Sequence, residues 1–275
     1  MISSSVKFLL NDKLIVIKNP DPNQTLLNYI RTELKKTGTK EGCSEGGCGA
    51  CTIVLGELVN NKIEYKAINS CISFVPTLNG KQLIIVEDLV SKNGQLHPVQ
   101  DAMVKFHGSQ CGFCTPGFVM SLFSMFKNNK NLNNELISDS ISGNLCRCTG
   151  YRPIIDAAKS LNKINKNDQF SKNKNKIIQQ LKKIKPKNIY IKKDDKIYFS
   201  PKNIKDLKGI IKKHSNFSFL AGGTDLSLKV TKERKEIPFI IDLKEINELD
   251  FIKVSKNYLE VGSATPLIKF EKEIK

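Results

Sequence analysis

The sequence predicts an α+β protein of several domains. Apolar residues alternate with a period of two in residues 1–88, whereas they recur with a period near 3.6 in residues 89–165. Both patterns occur in residues 189–275. A length of 275 residues suits about two domains, or three if they are small. Residues 166–188 are rich in Lys and Asn and poor in aromatics, which is typical of a solvated basic linker between domains.

The first region begins with two apolar runs that meet at Asn11 and Asp12, which predicts a β-hairpin. Thr25 is a candidate N-cap for a helix that ends at Gly38. Three further runs are predicted as strands: residues 52–55, 63–68 and 82–86. This order of elements fits a β-grasp domain in residues 1–88.

The stretch Gly42–Cys51, GCSEGGCGAC, places three cysteines and four glycines within ten residues. Together with Cys71 the spacing is C-x4-C-x2-C-x19-C, which is typical of a plant-type ferredoxin that binds one [2Fe–2S] cluster. Glycine adopts positive φ at little cost, so the chain can wrap tightly and direct its N–H groups at anionic sulfur. The predicted ligands are Cys43, Cys48, Cys51 and Cys71.

Two other metal sites compete with this interpretation. Four thiolates also suit a structural zinc ion, but zinc sites commonly pair their ligands in two short C-x2-4-C units, whereas three of these cysteines share one loop. A Rieske centre would need two histidine ligands, and neither His97, His107 nor His214 falls within the pattern. The spacing therefore favours iron–sulfur over zinc.

The second region is predicted to form a bundle of four short helices, which start near Pro98, Pro116, Asn134 and Pro153. Its two interhelical loops read GSQCGFCTPG and GNLCRCTGYRP, and each offers two thiols between a Gly and a Pro. A pseudo-twofold bundle would bring the four thiols together around a second [2Fe–2S] cluster; they are Cys111, Cys114, Cys146 and Cys148. Structural zinc remains an alternative. A thioredoxin-type use of the C-x-x-C pair is disfavoured because no βαβ pattern surrounds it.

All eight cysteines belong to these two sets, which leaves none for a disulfide and indicates a reducing compartment. The N-terminal sequence MISSSVKFLL lacks the basic and apolar segments of a signal peptide. The best apolar helix, residues 118–126, is too short to cross a bilayer. We therefore expect a cytoplasmic protein without a membrane partner.

The formal net charge of +17 is concentrated in one part of the chain. Residues 166–213 contain 16 of the 44 basic residues and four of the 27 acidic ones. This part lacks the interleaved aromatic residues on which nucleic-acid bases stack. No nucleic-acid partner is therefore expected.

The last region begins with an extended segment at 189–197, a helix at 204–213 and a buried strand at 217–221. The strand runs directly into Gly222-Gly223-Thr224-Asp225. Such a turn offers free backbone N–H groups and a hydroxyl to a pyrophosphate, although short Gly motifs also occur in ordinary turns.

Three segments resemble the molybdenum hydroxylase family, and in particular its xanthine dehydrogenase small subunits. They are GTKEGCSEGGCGACT at Gly38–Thr52, LHPVQDAMVKFHGSQCGFCTPGFVMSL at Leu96–Leu122 and GNLCRCTGYRPI at Gly143–Ile154. The resemblance implies that the first cysteine set holds the flavin-proximal cluster and the second set the molybdenum-proximal one. It also implies that Gln110 and Cys148 approach the pterin of a molybdenum cofactor on a separate, molybdopterin-binding large subunit.

The sequence FLAGGTDL resembles the FAD loop of the same family. The resemblance implies that FAD is bound by Leu220, Ala221, Gly222, Gly223, Thr224, Asp225 and Leu226. Residues 259–267, LEVGSATPL, resemble the strand and turn that follow in the family. Because the family's FAD domain is longer than residues 189–275, we expect this part to be the first portion of that domain, with an incomplete FAD site that binds flavin weakly on its own.

The implied function is electron transfer in a purine-oxidising oxidoreductase. Hydroxylation would occur at molybdenum on the partner, and electrons would pass through the two [2Fe–2S] clusters towards FAD and NAD. No catalytic residue is then expected in this chain. Two alternatives remain: an iron–sulfur carrier with a non-functional, truncated flavin region, and a zinc-stabilised interaction module.

Overall fold

A computed structural model describes residues 3–184 and 188–274. The chain divides into two units. One comprises Lys7–Val16 and Thr25–Lys185, and the other comprises the described parts of Met1–Val6, Ile17–Gln24 and Pro186–Lys275. Both cysteine sets lie in the former, which we call the cysteine unit, and the Gly-Gly-Thr turn lies in the latter, which we call the glycine-turn unit.

A five-stranded mixed sheet carries the first cysteine set. Its strands are β1 (Ser5–Leu10), β2 (Lys13–Lys18), β3 (Thr52–Val59), β4 (Lys62–Asn69) and β5 (Gln82–Ile84). They are ordered β2-β1-β5-β3-β4, with β1 parallel to β5 and β3 antiparallel to both β4 and β5. In β1, Val6, Phe8 and Leu9 are buried and Lys7 is exposed, and the predicted turn at Asn11 adopts a positive φ of 53°. The arrangement agrees with the predicted β-grasp domain.

The helix predicted after Thr25 is shorter than expected. Thr25 does cap it, because its Oγ1 accepts a hydrogen bond of 3.2 Å from the backbone N–H of Asn28. The chain forms α1 (Leu26–Asn28) and then widens into π-helical turns over Tyr29–Glu33. Lys35 takes a left-handed φ of 55° and ends the helical path before the predicted end at Gly38.

The four helices predicted for the second region are all present. They are α2 (Pro98–Lys105), α3 (Thr115–Asn128), α4 (Asn134–Ile141) and α5 (Arg152–Ser160). Residues 117–126 of α3 are all buried, so this helix forms the centre of the core. Among the described residues, no helix is both long and apolar enough to cross a membrane.

Helix α3 also covers the edge strand β4. Ser124 Oγ and Asn128 Nδ2 donate hydrogen bonds of 2.7 and 2.6 Å to the carbonyl oxygen of Tyr65, and the N–H of Tyr65 donates to Asn128 Oδ1 at 3.1 Å. These side chains satisfy strand groups that would otherwise be unpaired at the sheet edge. The sheet and the helices therefore share one core.

The segment 166–184 differs from the solvated linker that its composition predicts. It forms α6 (Gln169–Lys172) and α7 (Lys174–Lys183), in which Phe170, Ile177 and Leu181 are buried. Their helical spacing places them on one face that packs into the core, while the lysines occupy the other face. The solvated character expected for 166–188 is thus wrong for this part, and residues 185–187 lie outside the described residues.

The glycine-turn unit contains a four-stranded sheet. Its elements are β6 (Ile189–Lys193), β7 (Lys196–Ser200), α8 (Ile204–Ile211), β8 (Ser218–Leu220), α9 (Leu228–Thr231) and β9 (Phe239–Asp242). The strands are ordered β6-β7-β9-β8, and β9 is parallel to both β7 and β8. A separate hairpin of β10 (Ile252–Val254) and β11 (Leu259–Val261) is followed by α10 (Leu267–Ile274). The helix predicted at 204–213 is present, and the extended segment predicted at 189–197 forms β6 and the start of β7, which a turn at Asp194 separates. The strand predicted at 217–221 is present as β8, but it is not buried as expected, because Phe219 is 47% exposed.

Candidate metal centres and flavin loop

The first cysteine set forms two pairs of thiols. The Sγ atoms of Cys51 and Cys71 lie 3.2 Å apart, and the two residues are only 1% and 2% exposed. The thiols of Cys43 and Cys48 are neighbours that shift each other's pKa, and both residues are partly exposed. The structure thus brings together the four residues that the spacing predicts, two by two.

Strand register places the buried pair. Thr52, at the start of β3, is paired with Asn69, at the end of β4, so Cys51 and Cys71 flank the same end of this hairpin. Ser70 holds them there, because its N–H and Oγ donate hydrogen bonds of 3.3 and 2.7 Å to the carbonyl oxygen of Cys51. The fourth cysteine, distant in sequence, is therefore positioned by the sheet.

Backbone N–H groups of the loop point at the sulfur atoms, as the glycine pattern predicts. Gly46 and Gly49 have positive φ values of 78° and 69°. The N–H of Glu45 donates a hydrogen bond of 3.4 Å to the Sγ of Cys43. The backbone groups of Gly46, Gly47 and Ala50 lie near the thiols of Cys71, Cys43 and Cys48, and each acts to lower the pKa of its thiol. Such donors stabilise negative charge on sulfur.

The pKa values of the buried Cys51–Cys71 pair favour the binding of a metal cation. The hydrogen bond between the two thiols lowers the pKa of Cys51 to about 7, although burial acts in the opposite direction. The same hydrogen bond, together with burial, raises the pKa of Cys71 far above its usual range. The pair therefore loses its first proton more readily than its second, and a bound metal would favour the loss of both.

The second cysteine set is also arranged in pairs. The thiols of Cys111 and Cys148 are neighbours that shift each other's pKa, and both residues are exposed. The thiols of Cys114 and Cys146 also shift each other's pKa, and both residues are partly buried. Each pair takes one cysteine from the loop before α3 and one from the loop before α5, so the helical bundle brings cysteines of the two loops together in pairs.

The arrangement of the thiols in pairs bears on which metal site each cysteine set can form, a structural zinc site or a [2Fe–2S] cluster. A structural zinc ion needs four thiolates that converge on one point at about 2.3 Å. Within residues 3–184 and 188–274, no three His, Cys, Asp or Glu side chains converge in that way. A [2Fe–2S] cluster contains two irons and four cysteine ligands, so two pairs of thiols can share them equally. The two thiol pairs of each set therefore suit the two irons of a [2Fe–2S] cluster.

The two cysteine loops touch through their backbones. The N–H of Leu145 donates a hydrogen bond of 2.9 Å to the carbonyl oxygen of Cys48. A Cβ atom on Gly49 would lie 2.3 Å from the carbonyl oxygen of Gly143, and one on Gly117 would lie 2.1 Å from the carbonyl oxygen of Gly49. Only glycine permits this close approach of the backbones. As a result, Cys48 of the first set is hydrogen-bonded to Leu145, the residue that precedes Cys146 of the second set.

Asn144 joins the same loops, although sequence reasoning did not single it out. Its side chain is buried, and its Nδ2 donates to the carbonyl oxygen of Gly49 at 3.0 Å and to Thr52 Oγ1 at 3.2 Å. Its Oδ1 accepts a hydrogen bond of 2.6 Å from Ser121 Oγ. Its position as a polar residue inside the motif GNLCRC is the feature of the sequence that could have identified it.

The residue predicted to face a pterin, Gln110, is exposed in the loop that leads into Cys111. Its companion in that prediction, Cys148, is exposed as well, and its thiol neighbours that of Cys111, which follows Gln110 in the chain. Both are accessible to a partner from this face.

The predicted FAD residues form one turn at the end of β8. Gly222 and Gly223 have positive φ values of 97° and 89°, and the turn closes with a hydrogen bond of 3.0 Å from the N–H of Ser227 to the carbonyl oxygen of Gly223. A Cβ atom on Gly222 would meet nothing within 4 Å, so its backbone is accessible from solvent. Thr224 and Asp225 are exposed beside it. An accessible turn of this kind suits a phosphate group.

Three protein families match consecutive parts of the chain. The family described as 2Fe-2S iron-sulfur cluster binding domain matches residues 8–76, and the family described as [2Fe-2S] binding domain matches residues 85–159. The family described as FAD binding domain in molybdopterin dehydrogenase matches residues 191–275. Each cysteine set therefore lies in a [2Fe–2S]-binding domain, and the Gly-Gly-Thr turn lies in an FAD-binding domain.

Several known proteins are similar to the chain. Xanthine dehydrogenase from Blastobotrys adeninivorans is 51% identical over 161 residues, which cover 58% of this chain and 11% of that protein. Aldehyde oxidase from Homo sapiens is 43% identical over 160 residues, which cover 58% of this chain and 12% of that protein. The solved structure of aldehyde oxidoreductase from Desulfovibrio gigas is similar with a TM-score of 0.51 and 30% identity, and the match covers 66% of this chain and 18% of that one. The chain thus spans 11–12% of the length of these two curated relatives.

Proposed function

Because the chain belongs to the molybdenum hydroxylase family, as part of its iron–sulfur and FAD region, we propose that it is the electron-transfer subunit of an enzyme resembling xanthine dehydrogenase. A molybdopterin-binding large subunit would be its partner and would hydroxylate a purine at molybdenum. The chain would carry the electrons from that site towards FAD and NAD. The free cysteines support a reducing, cytoplasmic location.

The pairing of the thiols is the observation that carries this proposal. We assign Cys43 with Cys48 to one iron and Cys51 with Cys71 to the other iron of the first cluster. In the second cluster we assign Cys111 with Cys148 and Cys114 with Cys146. When bound, a [2Fe–2S] cluster accepts and releases one electron at a time. The loop N–H groups directed at sulfur then stabilise the added negative charge.

We assign the turn Leu220–Leu226 to the FAD pyrophosphate. The backbone of Gly222 is open to solvent, and the Thr224 hydroxyl lies beside it. A flavin is chemically required in this role, because NAD accepts a pair of electrons as hydride whereas each cluster supplies single electrons. The alternative to this assignment is an iron–sulfur carrier that binds no flavin.

Metal and sulfide analysis of the purified chain tests the assignment of the cysteines. We expect about four irons and about four acid-labile sulfides per chain, because each [2Fe–2S] cluster holds two of each. Two zinc ions without sulfide would refute it. Cys48→Ser should remove only the first cluster, because the ligands of the second cluster lie in other loops. Loss of both EPR signals in this variant would contradict separate sites.

Reconstitution with the large subunit tests the remainder of the proposal. With a purine as the substrate, the complex should reduce NAD, and it should do so only when flavin is present. Complete reduction of both clusters without NADH formation, in the presence of added FAD, would favour the simple carrier.

A further inference from the structure

The GNLCRCTGYRP loop, which carries Cys146 and Cys148 of the second set, contains a hydroxyl next to a proposed ligand sulfur. Thr149 lies between the last two cysteines and helix α5, and its Oγ1 is 3.3 Å from the Sγ of Cys146. Thr149 Oγ1 also accepts a hydrogen bond of 3.2 Å from the N–H of Tyr151. Tyr151 in turn accepts, at its phenolic oxygen, a hydrogen bond of 2.9 Å from the N–H of Cys146. The three residues therefore close a ring of hydrogen bonds around one sulfur atom.

The hydrogen-bonding capacity of the hydroxyl sets the direction of its contact with sulfur. A threonine hydroxyl has one proton and two lone pairs, and the N–H of Tyr151 occupies a lone pair. Once a metal is bound, Cys146 is a thiolate that has no proton to give. The proton between the two side chains must then come from Thr149. The hydroxyl is thus a donor to the ligand sulfur.

The turn that positions Thr149 has a strained backbone, which indicates that the surrounding packing holds it in place. Gly150 and Tyr151 both adopt left-handed φ values, of 65° and 68°. A bulky aromatic residue rarely occupies this region of backbone conformation. The Tyr151 ring packs edge-to-face against Phe118 with centroids 6.0 Å apart, which anchors it to α3. The buried helix therefore supports the strained turn that directs the Tyr151 N–H at Thr149.

We infer that Thr149 is a potential-setting residue, whose hydroxyl donates a hydrogen bond to the Cys146 sulfur and raises the reduction potential of the cluster held by the second cysteine set. This inference rests on the proposed function. Reduction adds negative charge that the ligand sulfurs share, so a donor to sulfur stabilises the reduced state more than the oxidised state. The effect is confined to the second cluster, because the first set lies on other loops.

A pair of substitutions isolates the hydroxyl. Thr149→Val keeps the branched shape and removes the donor, whereas Thr149→Ser keeps the donor. An EPR-monitored redox titration of the purified chain follows the two cluster signals separately. We expect the potential of the second cluster to fall in Thr149→Val and to remain near that of the natural chain in Thr149→Ser, while the potential of the first cluster is unchanged in both.

Thr115 provides a matched control in the other loop. It follows Cys114 as Thr149 follows Cys148, but its Oγ1 lies 2.7 Å from Ser109 Oγ rather than beside a sulfur. Thr115→Val should leave both potentials unchanged. An equal fall in Thr115→Val and Thr149→Val would overturn the inference, because the shift would then follow from any loss of a hydroxyl near the loops.

Other outcomes are equally decisive. An unchanged second potential in Thr149→Val, or an equal fall in Thr149→Ser, would show that the hydroxyl does not set the potential. Should Thr149→Val lose the second cluster by iron analysis, Thr149→Ala repeats the comparison with a smaller side chain. Loss of that cluster in both would assign the hydroxyl to folding instead. Absence of [2Fe–2S] signals from the natural chain would refute the proposed function itself, which is a distinct result.

Discussion

Single glycines determine how closely the two cysteine loops approach each other. Gly49 combines a positive φ of 69° with a position where a Cβ atom would lie 2.3 Å from the carbonyl oxygen of Gly143. The left-handed conformation alone costs a non-glycine residue about 1–2 kcal/mol, and the contact with a backbone atom cannot be relieved by a rotamer change. The loops therefore depend on this residue for their mutual position.

We predict that Gly49→Ala lowers the thermal stability of the cysteine unit and reduces the iron content of the first cluster. Gly143→Ala is the matched control, because a Cβ atom there would meet nothing within 4 Å. Thermal unfolding and iron analysis of both variants provide the measurement. Equal behaviour of the two variants would contradict the importance of the close approach.

Asn144 acts at the same junction through its side-chain amide. Asn144→Ala would remove three hydrogen bonds and leave the buried Ser121 hydroxyl without its acceptor. A buried polar group left unsatisfied costs about 1–3 kcal/mol. We expect that loss of stability, together with a weaker magnetic interaction between the two reduced clusters in EPR, because the loops are then free to separate. An unchanged interaction would show that Asn144 only stabilises the fold.

At the scale of elements, a buried ionic cluster attaches α6 and α7 to the helical bundle. His97 Nε2 lies 2.9 Å from Asp168 Oδ2, and Lys127 Nζ donates to Asp168 Oδ1 at 2.7 Å. The N–H of Val99 donates to His97 Nδ1 at 3.2 Å, so the proton of a neutral ring is at Nε2 and points to the carboxylate. The side chains of all three charged or titratable residues are at most 6% exposed. These contacts add to the burial of Phe170, Ile177 and Leu181 in holding this Lys-rich segment against the core.

The carboxylate links this attachment to pH. Burial by itself would raise the pKa of Asp168, but the hydrogen bonds from His97 and Lys127 outweigh it and hold the pKa well below the usual range. Burial also lowers the pKa of Lys127, because desolvation outweighs its pairing with Asp168. A depressed carboxyl pKa contributes stability that is complete above the unfolded value of about 4 and is lost as the pH falls towards the folded value.

We predict that Asp168→Asn destabilises the chain by about 3–5 kcal/mol, because it leaves Lys127 buried without its counter-charge. The difference in unfolding free energy between the variant and the natural chain should not shrink between about pH 8 and pH 6, since the carboxylate of the natural chain stays ionised there in both the folded and the unfolded state. Urea unfolding at several pH values measures it. Asp139→Asn, on the exposed surface of α4, is the control and should have little effect. A difference that shrinks between pH 8 and pH 6 would contradict the role of the carboxylate.

At the scale of the whole molecule, the proposed ligands of the iron–sulfur clusters and the proposed FAD turn belong to different units. Every cysteine lies in the cysteine unit, whereas the Gly-Gly-Thr turn lies in the glycine-turn unit. Each unit has its own buried apolar cluster. Binding of iron–sulfur clusters and binding of flavin should therefore respond to different substitutions.

We predict that Gly223→Val abolishes FAD binding and leaves the iron content and both EPR signals unchanged, because its φ of 89° excludes a branched side chain. Gly209→Ala, in the same unit, is the control, since a Cβ atom there would meet nothing within 4 Å. Conversely, Cys48→Ser should reduce the iron content without changing FAD binding. FAD titration and iron analysis of the three variants test this independence. Loss of iron in Gly223→Val would refute it.

The sequence by itself determined the local features of this protein. The eight cysteines and their spacing, the glycines around them, and the Pro residues that begin the helices are short-range signals, so both proposed ligand sets and all four bundle helices were predictable. The turn after β8 was recognisable for the same reason. Each of these features depends on a few consecutive residues and on their intrinsic backbone preferences.

Only the tertiary structure decided which distant residues meet. It paired Cys51 with Cys71 and Cys111 with Cys148, brought Asn144 against Gly49, and buried one face of residues 169–183 that composition alone describes as solvated. These outcomes depend on strand register, helix packing and the desolvation of Asp168 by neighbours far away in the chain. Such contacts are set by the whole core, because the free energy of burying a side chain depends on what surrounds it and not on its neighbours in sequence.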